Sequence, residues 1–374
     1  MLIDNNINCS ITKEPLTIFK TLVNQPIFIG TTKQGIEHDK FMDQHWAIGP
    51  SGIVQLTKRL DLNELYAEGH NSGLIGLVWK EHHEKFAAFT CKQKFQKVLE
   101  IGGGHGALNR IVKRLSPASV SDWTIIEPSN NTNYHQHIKK INAIFDKDTN
   151  TGEQYDVIFH SHLFEHLYEP LDILKNMAAH LSIGGEMCFS VPNMKGMVKS
   201  GIVSSINFEH TIYLPEQLVE SLLEASGFQI QNKEYFKSNH SIFYSCINTG
   251  IINDLDYDGY NQNYSDIEGF FESKEKEIKL LNNKVRNSLK PVYVFGAHIF
   301  SQFLICNGLN TKQIHGVLDN DQAKQGQRLY GTQLQVFSPE IISEKNAIVI
   351  LRAGAYDAEI RSQLITLNPN VDII

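Results

Sequence analysis

The stretch Val98–Gly106, with the sequence VLEIGGGHG, joins an apolar run to an acid and a cluster of glycines. This order predicts a buried strand followed by a tight turn into a helix, because glycine permits both the turn and close approach of the backbone to a ligand. Gly102, Gly104 and Ala107 also satisfy the dinucleotide fingerprint GxGxx(G/A). The turn therefore predicts a nucleoside-containing cofactor but leaves its type open.

Outward from this turn, the chain alternates short apolar runs with segments long enough for helices. Such alternation predicts a parallel sheet covered by helices, which is an α/β, doubly wound fold of Rossmann-like type. The runs that follow the pattern are KVLEIGG, WTIIEP, INAIFD, YDVIFH and EMCFSVPN. After Pro291 the pattern restarts with VYVFG, IHGVLDND and AIVILRAG, which predicts a second, smaller α/β unit.

These changes of pattern divide the chain into four parts. Residues 1–85 mix short apolar runs with Gly and Pro and predict a small irregular or β-containing module. Residues 86–250 hold the first α/β unit, and 290–374 the second. Between them, 251–289 is predicted to link the two, with a charged helix over 268–288.

Composition excludes several classes of function. The net charge of -7 comes without a basic run, so the sequence predicts no nucleic-acid partner. No stretch approaches 18 apolar residues, and the first ten residues lack the features of a signal peptide, so no membrane partner is expected. The five cysteines are scattered without a CxxC pair, which favours reduced thiols and a cytoplasmic location. Nothing in the sequence predicts an oligomeric state.

The glycine turn and the runs after it resemble the class I methyltransferases. Glu100 to Gly106 matches their first motif, E-x-G-x-G-x-G, and YDVIFHSHLFEHLYEPLDIL, LSIGGEMCFSVPN and YLPEQLVESLLEASGF resemble their later signatures. The resemblance implies S-adenosyl-L-methionine as the cofactor. It assigns the following residues to the cofactor site: Glu100, Gly102, Gly103 and Gly104 in the turn, Glu127 and Pro128 at the ribose, Asp146 near the adenine, and Ser161 and His162 after the fourth strand.

A second motif competes for part of this region. The residues from His162 to His166, HLFEH, match H-x-x-E-H, a zinc-protease motif in which both histidines share one face of a helix. The match follows a strand in the middle of an α/β pattern, and the methyltransferase resemblance expects a histidine at His166 as well. We therefore expect no metal here.

Methyl transfer from a sulfonium requires an aligned acceptor and, for carbon or hydroxyl acceptors, a base that removes a proton. His210 is the strongest candidate, because it follows the fifth predicted strand and precedes a helix opening at Pro215. Loops beyond the carboxyl ends of parallel strands are where open α/β sheets bind ligands. Glu209 beside it could orient the imidazole or bind substrate hydroxyls.

The whole chain resembles the sugar C-methyltransferases of deoxysugar biosynthesis, which have a zinc-binding N-terminal module, a central methyltransferase domain and a C-terminal Rossmann-like domain. The C-terminal runs VFGAHIFSQFLI, GVLDNDQAKQGQRLYGTQLQV and YDAEI carry the most specific match. The resemblance implies C-methylation of a nucleotide-linked 4-keto-deoxysugar. It places His210 as the base, His166 and Tyr213 near the substrate, and Tyr66 on the N-terminal side of the pocket.

Two departures from that family leave alternatives open. Its Y-H-E-H is here Asn207-Phe208-Glu209-His210, so an asparagine stands where the enolate-stabilising tyrosine is expected; Asn207 can still donate a hydrogen bond to an oxyanion. Of the zinc cysteines only Cys9 is in place, so we predict no zinc in the N-terminal module. O- or N-methylation of a related sugar or small metabolite, a nicotinamide-dependent oxidoreductase and a binding protein remain the competing hypotheses.

Overall fold

The computed structural model describes residues 2–5, 7–62, 65, 76–91, 95–116, 122–129, 138–237 and 240–374. Contacts divide the chain into two compact units. Unit 1 comprises 1–17, 47–197 and 209–263, and unit 2 comprises 18–46, 198–208 and 264–374. These units cut across the predicted boundaries at 85, 250 and 289, so the four-part division stays a sequence-based prediction.

The strands are, in chain order, β1 (Leu2–Asn5), β2 (Thr17–Pro26), β3 (Thr31–Thr32), β4 (Phe41–Ile48), β5 (Val54–Leu56), β6 (Lys58–Leu60), β7 (Lys97–Ile101), β8 (Asp122–Ile126), β9 (Ile138–Ile141), β10 (Tyr155–Ser161), β11 (Leu181–Pro192), β12 (Phe228–Phe236), β13 (Ser241–Asn248), β14 (Val292–Phe295), β15 (Ile314–Leu318), β16 (Arg328–Leu329), β17 (Val336–Phe337), β18 (Ile348–Leu351) and β19 (Asp372–Ile373). The helices that the structure describes in full are α1 (Leu77–Thr90), α2 (Ala107–Leu115), α3 (Pro170–Ala179), α4 (Met194–Lys199), α5 (Glu216–Ala225), α6 (Tyr260–Val285), α7 (Ile299–Cys306) and α8 (Asp357–Leu367). The α/β alternation predicted from the sequence is therefore present.

Unit 1 is built on a seven-stranded sheet in the order β12-β13-β11-β10-β7-β8-β9. Strands β7 to β11 run parallel, and β13 is antiparallel to both β11 and β12. Val98, Val157 and Phe159 of the central strands are fully buried and pack with Phe86 of α1 in one apolar cluster. Because the central strands are parallel, their carboxyl ends lie at the same edge of the sheet, where ligands bind in open α/β folds.

The third strand of this sheet differs from the prediction. The apolar run INAIFD was expected to form it, whereas the structure places β9 at Ile138–Ile141 and leaves Asp146 in a turn beyond it. Strand β9 is the edge of the sheet, and its Lys139 is exposed. Charged residues protect an edge from unwanted pairing, so an edge strand need not have the most apolar sequence.

Unit 2 contains a five-stranded parallel sheet in the order β17-β15-β14-β18-β19, which confirms the second α/β unit. Val294 of β14, Leu318 of β15 and Ile350 of β18 are buried. The predicted charged helix is present as α6, which begins earlier than expected. No helix in the described ranges is long and apolar enough to cross a membrane.

Candidate active site

The glycine turn after β7 has the backbone that its sequence predicts. Gly102, Gly104 and Gly106 have φ values of 69°, 50° and 68°, in the left-handed region that favours glycine. A methyl group at Gly103 would lie 2.7 Å from Ile125 Cγ2, so a side chain there would collide with β8. At Gly104 the same methyl group would meet no described atom within 4 Å, which leaves the backbone open to a ligand.

Glu127 follows β8 and lies directly against this turn. Its Oε2 accepts a hydrogen bond from the Gly104 amide at 2.9 Å, and its Oε1 accepts one from the Ser129 amide at 3.0 Å. Pro128 lies between the two. A carboxylate held beside a glycine turn is the arrangement that binds ribose hydroxyls in dinucleotide folds, and the structure thus brings together two residues that the sequence paired.

Glu100 is placed differently. Its side chain is buried, and its Oε2 accepts a hydrogen bond of 2.8 Å from Trp123 Nε1. Burial raises the pKa of Glu100 to about 8, although the Trp123 hydrogen bond opposes that rise. Glu100 is therefore largely protonated at neutral pH. Its side chain packs against the glycine turn, since its Cδ would lie 3.0 Å from a methyl group at Gly103.

Two further predicted cofactor residues are occupied by local hydrogen bonds. Asp146 is exposed, and its Oδ1 accepts from the Asp148 amide at 3.0 Å and the Thr149 hydroxyl at 2.8 Å. Ser161 ends β10, and its hydroxyl lies 2.8 Å from that of Ser190 on β11. Ser161 thus lies at the predicted edge of the sheet, whereas Asp146 belongs to a turn of its own.

His162 and His166 do not share a helical face. His162 has φ of 50° and precedes a single 3-10 turn, Phe164–His166, so the geometry of the H-x-x-E-H zinc motif is absent from this segment. His162 Nδ1 lies 3.0 Å from Glu165 Oε1, and its Nε2 lies 2.9 Å from Ser241 Oγ. His162 therefore contacts Glu165 of the same motif and Ser241 on β13.

His166 instead meets His210, the predicted base. Their ring centroids are 4.7 Å apart with an interplanar angle of 70°. Glu165, His166 and His210 each have one oxygen or nitrogen atom that could bind a metal, and these three atoms lie within 4.8 Å of one another. Sequence reasoning named both histidines separately but not their contact, and it missed Glu165.

The backbone after His210 explains how that side chain is fixed. Thr211 accepts a hydrogen bond of 2.8 Å from the Leu56 amide, and the Tyr213 amide donates one of 2.9 Å to Val54. These bonds anchor the segment to β5 within unit 1, and the side chains of Thr211 and Tyr213 are fully buried. His210 lies at the end of an immobilised segment, as an oriented base requires.

The remaining predicted residues are placed as follows. Glu209 is buried and Asn207 is also buried, with Asn207 Nδ2 donating to the Ser204 carbonyl at 3.2 Å within unit 2. Tyr66 lies outside the described residues. The roles of these three residues stay predictions.

Three donors of the Glu-His-His type are also a combination that divalent metals accept. Here one oxygen of Glu165 is already engaged by His162. The expectation of a metal-free chain therefore stays a prediction, which elemental analysis can test.

Comparison with known proteins supports the cofactor assignment. Residues 76–233 match the family model of a methyltransferase domain. The chain is an S-adenosylmethionine-dependent methyltransferase with a class I, Rossmann-like fold. Residues 255–369 match a second family model, the C-methyltransferase C-terminal domain.

Three solved structures illustrate the likeness. The N-methyltransferase NodS from Bradyrhizobium japonicum with S-adenosylhomocysteine is 16% identical, with 46% of this chain and 88% of that chain covered and a TM-score of 0.36. An S-adenosylmethionine-dependent methyltransferase from Mesorhizobium loti is 14% identical (44% and 97% covered, TM-score 0.36). An O-methyltransferase family protein from Burkholderia thailandensis is 13% identical (46% and 57% covered, TM-score 0.39). No curated protein sequence matches the chain.

Proposed function

We propose that this methyltransferase transfers the methyl group to a carbon atom of a nucleotide-linked keto-deoxysugar, with His210 as the general base. The observation that carries the proposal is the contact between His210 and His166, with Glu165 beside them, in a unit that also holds the glycine turn. The match of residues 255–369 to the C-methyltransferase C-terminal domain supports carbon as the acceptor atom.

Methylation of such a carbon requires the protein to bind the cofactor, remove a proton and stabilise an oxyanion. The glycine turn and Glu127 bind the cofactor, which supplies the methyl group from its sulfonium. His210 takes the proton from the carbon beside the keto group, and the electron pair left on the acceptor displaces the thioether of S-adenosylhomocysteine. As that proton leaves, negative charge develops on the keto oxygen, and His166 is the proposed donor to it. The family resemblance gives the same role to Asn207 and Tyr66.

Incubation of the full chain with S-adenosylmethionine and a series of nucleotide-linked 4-keto-deoxysugars tests the proposal. The expected product carries a new methyl group bonded to carbon, as mass spectrometry and carbon NMR would show. The same incubation with keto-free sugars is the control, since these cannot form an enolate. Methylation of keto-free sugars at oxygen or nitrogen with equal efficiency would reject the carbon assignment.

Asn207 favours O- or N-methylation as a second candidate. Methyl transfer to a hydroxyl or amine generates no enolate, so it does not need the tyrosine that the resembling family has at this position. Nucleotide-linked amino-sugars and hydroxy-sugars in the same incubation distinguish the two candidates, because the bond formed by the new methyl group is read directly. The sugar, the nucleotide and a cytoplasmic location remain parts of the proposal.

A further inference from the structure

Glu165 is a buried carboxylate that has no role in the reaction steps proposed above. Its side chain is 1% exposed, and its Oε1 lies 3.0 Å from His162 Nδ1. Its Oε2 has no hydrogen-bond partner among the described residues. Burying a carboxylate is costly unless positive charge compensates it, so this residue requires an explanation.

The surroundings of Glu165 keep it ionised. Burial by itself raises its pKa, but the charge and hydrogen bond of His162, followed by the charges of His166 and His210, outweigh burial and bring the pKa to about 2. Glu165 is therefore an anion at neutral pH. The three groups that stabilise this anion include both histidines of the proposed active site.

A chain of hydrogen bonds holds Glu165 from the other side. His162 Nε2 lies 2.9 Å from Ser241 Oγ, and Ser241 Oγ lies 2.7 Å from His240 Nδ1. An ionised carboxylate only accepts, so His162 Nδ1 donates to Glu165. His162 Nε2 and the Ser241 hydroxyl form the next link, and the Ser241 hydroxyl and His240 Nδ1 form the last.

The histidines near the Ser241–His240 end of these hydrogen bonds do not favour positive charge. His82 on α1 is fully buried, and its ring centroid lies 5.1 Å from that of His162 and 5.7 Å from that of His240. Burial, and then the charges of His162, His83 and His240, lower the pKa of His82. Burial, and then the charges of His162 and Lys237, lower the pKa of His240 to about 4.

Another neutral histidine, His160, also interacts electrostatically with Glu165. His160 on β10 is buried and stacks on Phe189 at 4.8 Å, and burial lowers its pKa to about 3 although Glu165 opposes this. With His82, His160 and His240 neutral, the charge of Glu165 acts on His162 and on the pair His166–His210. The negative charge of Glu165 therefore favours positive charge on the active-site histidines and not on His82, His160 or His240.

We propose that Glu165 is the positioning residue of this active site: its carboxylate, held by His162, Ser241 and His240, is the counter-ion of the His166–His210 pair. The inference rests on the proposed function of His210. When the acceptor's C–H bond breaks, its proton moves to an imidazole nitrogen of His210 and its electron pair forms the new bond to the methyl carbon. The bond from that methyl carbon to sulfur would break at the same time, with its electron pair left on the sulfur of S-adenosylhomocysteine. Glu165 stabilises the imidazolium produced in that step, without touching the acceptor.

The test uses Glu165→Gln, which keeps the shape of the side chain and removes its charge. Histidine ring protons are followed by NMR against pH in the full chain, saturated with S-adenosylhomocysteine and treated with a chelator. The titration midpoint of His210 should move to lower pH by roughly 1 unit, because a nearby opposite charge has been removed. An unchanged midpoint overturns the inference.

Glu186→Gln is the matched control. Glu186 lies in the middle of β11 and accepts hydrogen bonds from Cys188 and Ser245. Removing its charge should leave the His210 midpoint where it is in the wild type. A shift equal to that of Glu165→Gln would mean a general effect of charge and would also overturn the inference.

A measurement on the wild type does not depend on whether Glu165→Gln folds. Carbon NMR of the Glu165 carboxyl should show it still largely ionised at about pH 3, where an exposed glutamate, with a pKa of about 4.3, is almost fully protonated. A carboxyl that is protonated at neutral pH contradicts the role of counter-ion.

Neither NMR measurement needs an acceptor, so failure to methylate any keto-sugar would count against the proposed function alone. Where turnover is observed, Glu165→Gln should lower kcat about 10-fold with KM unchanged, and the acid limb of its pH profile should move to lower pH with the His210 midpoint. A loss of turnover without movement of that limb indicates a purely structural role and overturns the inference.

Discussion

Two strand–turn–helix segments of the molecule, one in each unit, have related sequences but differ in the groups around the turn. After β7, the turn has three glycines in the left-handed region, and Glu127 from the next strand accepts the Gly104 amide at 2.9 Å. After β14, the turn has the single Gly296, and Asp319 from the next strand accepts the Ala297 amide at 2.7 Å. Both segments therefore place an acid against a turn amide.

The difference lies in what else the acid meets. Lys324 Nζ lies 3.4 Å from Asp319 and also 3.4 Å from the Ala297 carbonyl, so a lysine closes this turn from within the chain. Asp319 also accepts a hydrogen bond from the Asp321 amide at 2.9 Å. A methyl group at Gly104 or at Gly296 would meet no described atom within 4 Å, so the two turns do not differ in openness at these glycines. They differ in that three left-handed glycines form the first turn, whereas Lys324 pairs with the acid of the second and stabilises that loop. A shared topology thus does not imply a shared function.

The largest effect should come from the histidine that lies beyond the first turn. His210→Asn should lower turnover by about 100-fold to 10,000-fold, the usual contribution of a positioned general base, and leave S-adenosylhomocysteine affinity nearly intact. Steady-state kinetics on a nucleotide-linked keto-sugar measure the first quantity and calorimetry the second. His298→Asn, in the turn after β14, is the matched control and should keep turnover within a few-fold of wild type.

The second prediction separates the two acids directly. Glu127→Ala should weaken the binding of S-adenosylhomocysteine by roughly 2 to 4 kcal/mol, the loss expected for a pair of charge-assisted hydrogen bonds. Asp319→Ala should leave that affinity unchanged, although it removes an ion pair and should lower the melting temperature. Equal losses of affinity in calorimetry would mean that both turns bind the cofactor.

A smaller effect is expected on stability from the shape of the first turn. Gly103→Ala should cost roughly 1 to 3 kcal/mol of unfolding free energy, since its methyl group would overpack against Ile125 and Glu100. Gly269→Ala is the control, because this glycine lies within α6 and a methyl group there meets no described atom within 4 Å. Denaturation should show Gly269→Ala to be stabilising by about 0.5 to 1 kcal/mol.

A further expected effect is a pH dependence of stability that Glu100 contributes. Its pKa is raised to about 8 in the folded chain from an ordinary value of 4.5, so the folded state binds a proton that the unfolded state has released between these values. Stability from this group is therefore present at acidic pH and falls as pH rises through that window. Glu100→Gln should flatten that part of the stability curve, and an unchanged slope in denaturation at pH values across the window would contradict it.

The sequence predicts the parts of the site that depend on local pattern. The turn after β7 and the acid after β8 follow from glycine spacing and from parallel strands whose ends share one edge, so Glu127 is found against Gly104. The third strand could not be placed correctly, because Ile138–Ile141 is an edge strand whose lysines do not form an apolar run.

Contacts between distant loops were beyond the sequence. His166 and His210 come from separate loops, and the segment after His210 is anchored to β5 through Thr211 and Tyr213. The Ser241–His162–Glu165 chain likewise joins a hairpin to a turn, and no spacing rule relates them. The helix that the H-x-x-E-H zinc motif requires does not form over this segment, because His162 has a left-handed backbone conformation, which is incompatible with a continuous helix.

The most direct test of C-methylation by a His210 base is proton exchange in deuterated water. A nucleotide-linked keto-sugar is incubated with the enzyme and S-adenosylhomocysteine, so that the base can act while no methyl group is available. The wild type should exchange the proton on the carbon beside the keto group, and His210→Asn should not. Exchange at the wild-type rate in His210→Asn, or methylation of the sugar by a wild type that exchanges no proton, would contradict the account.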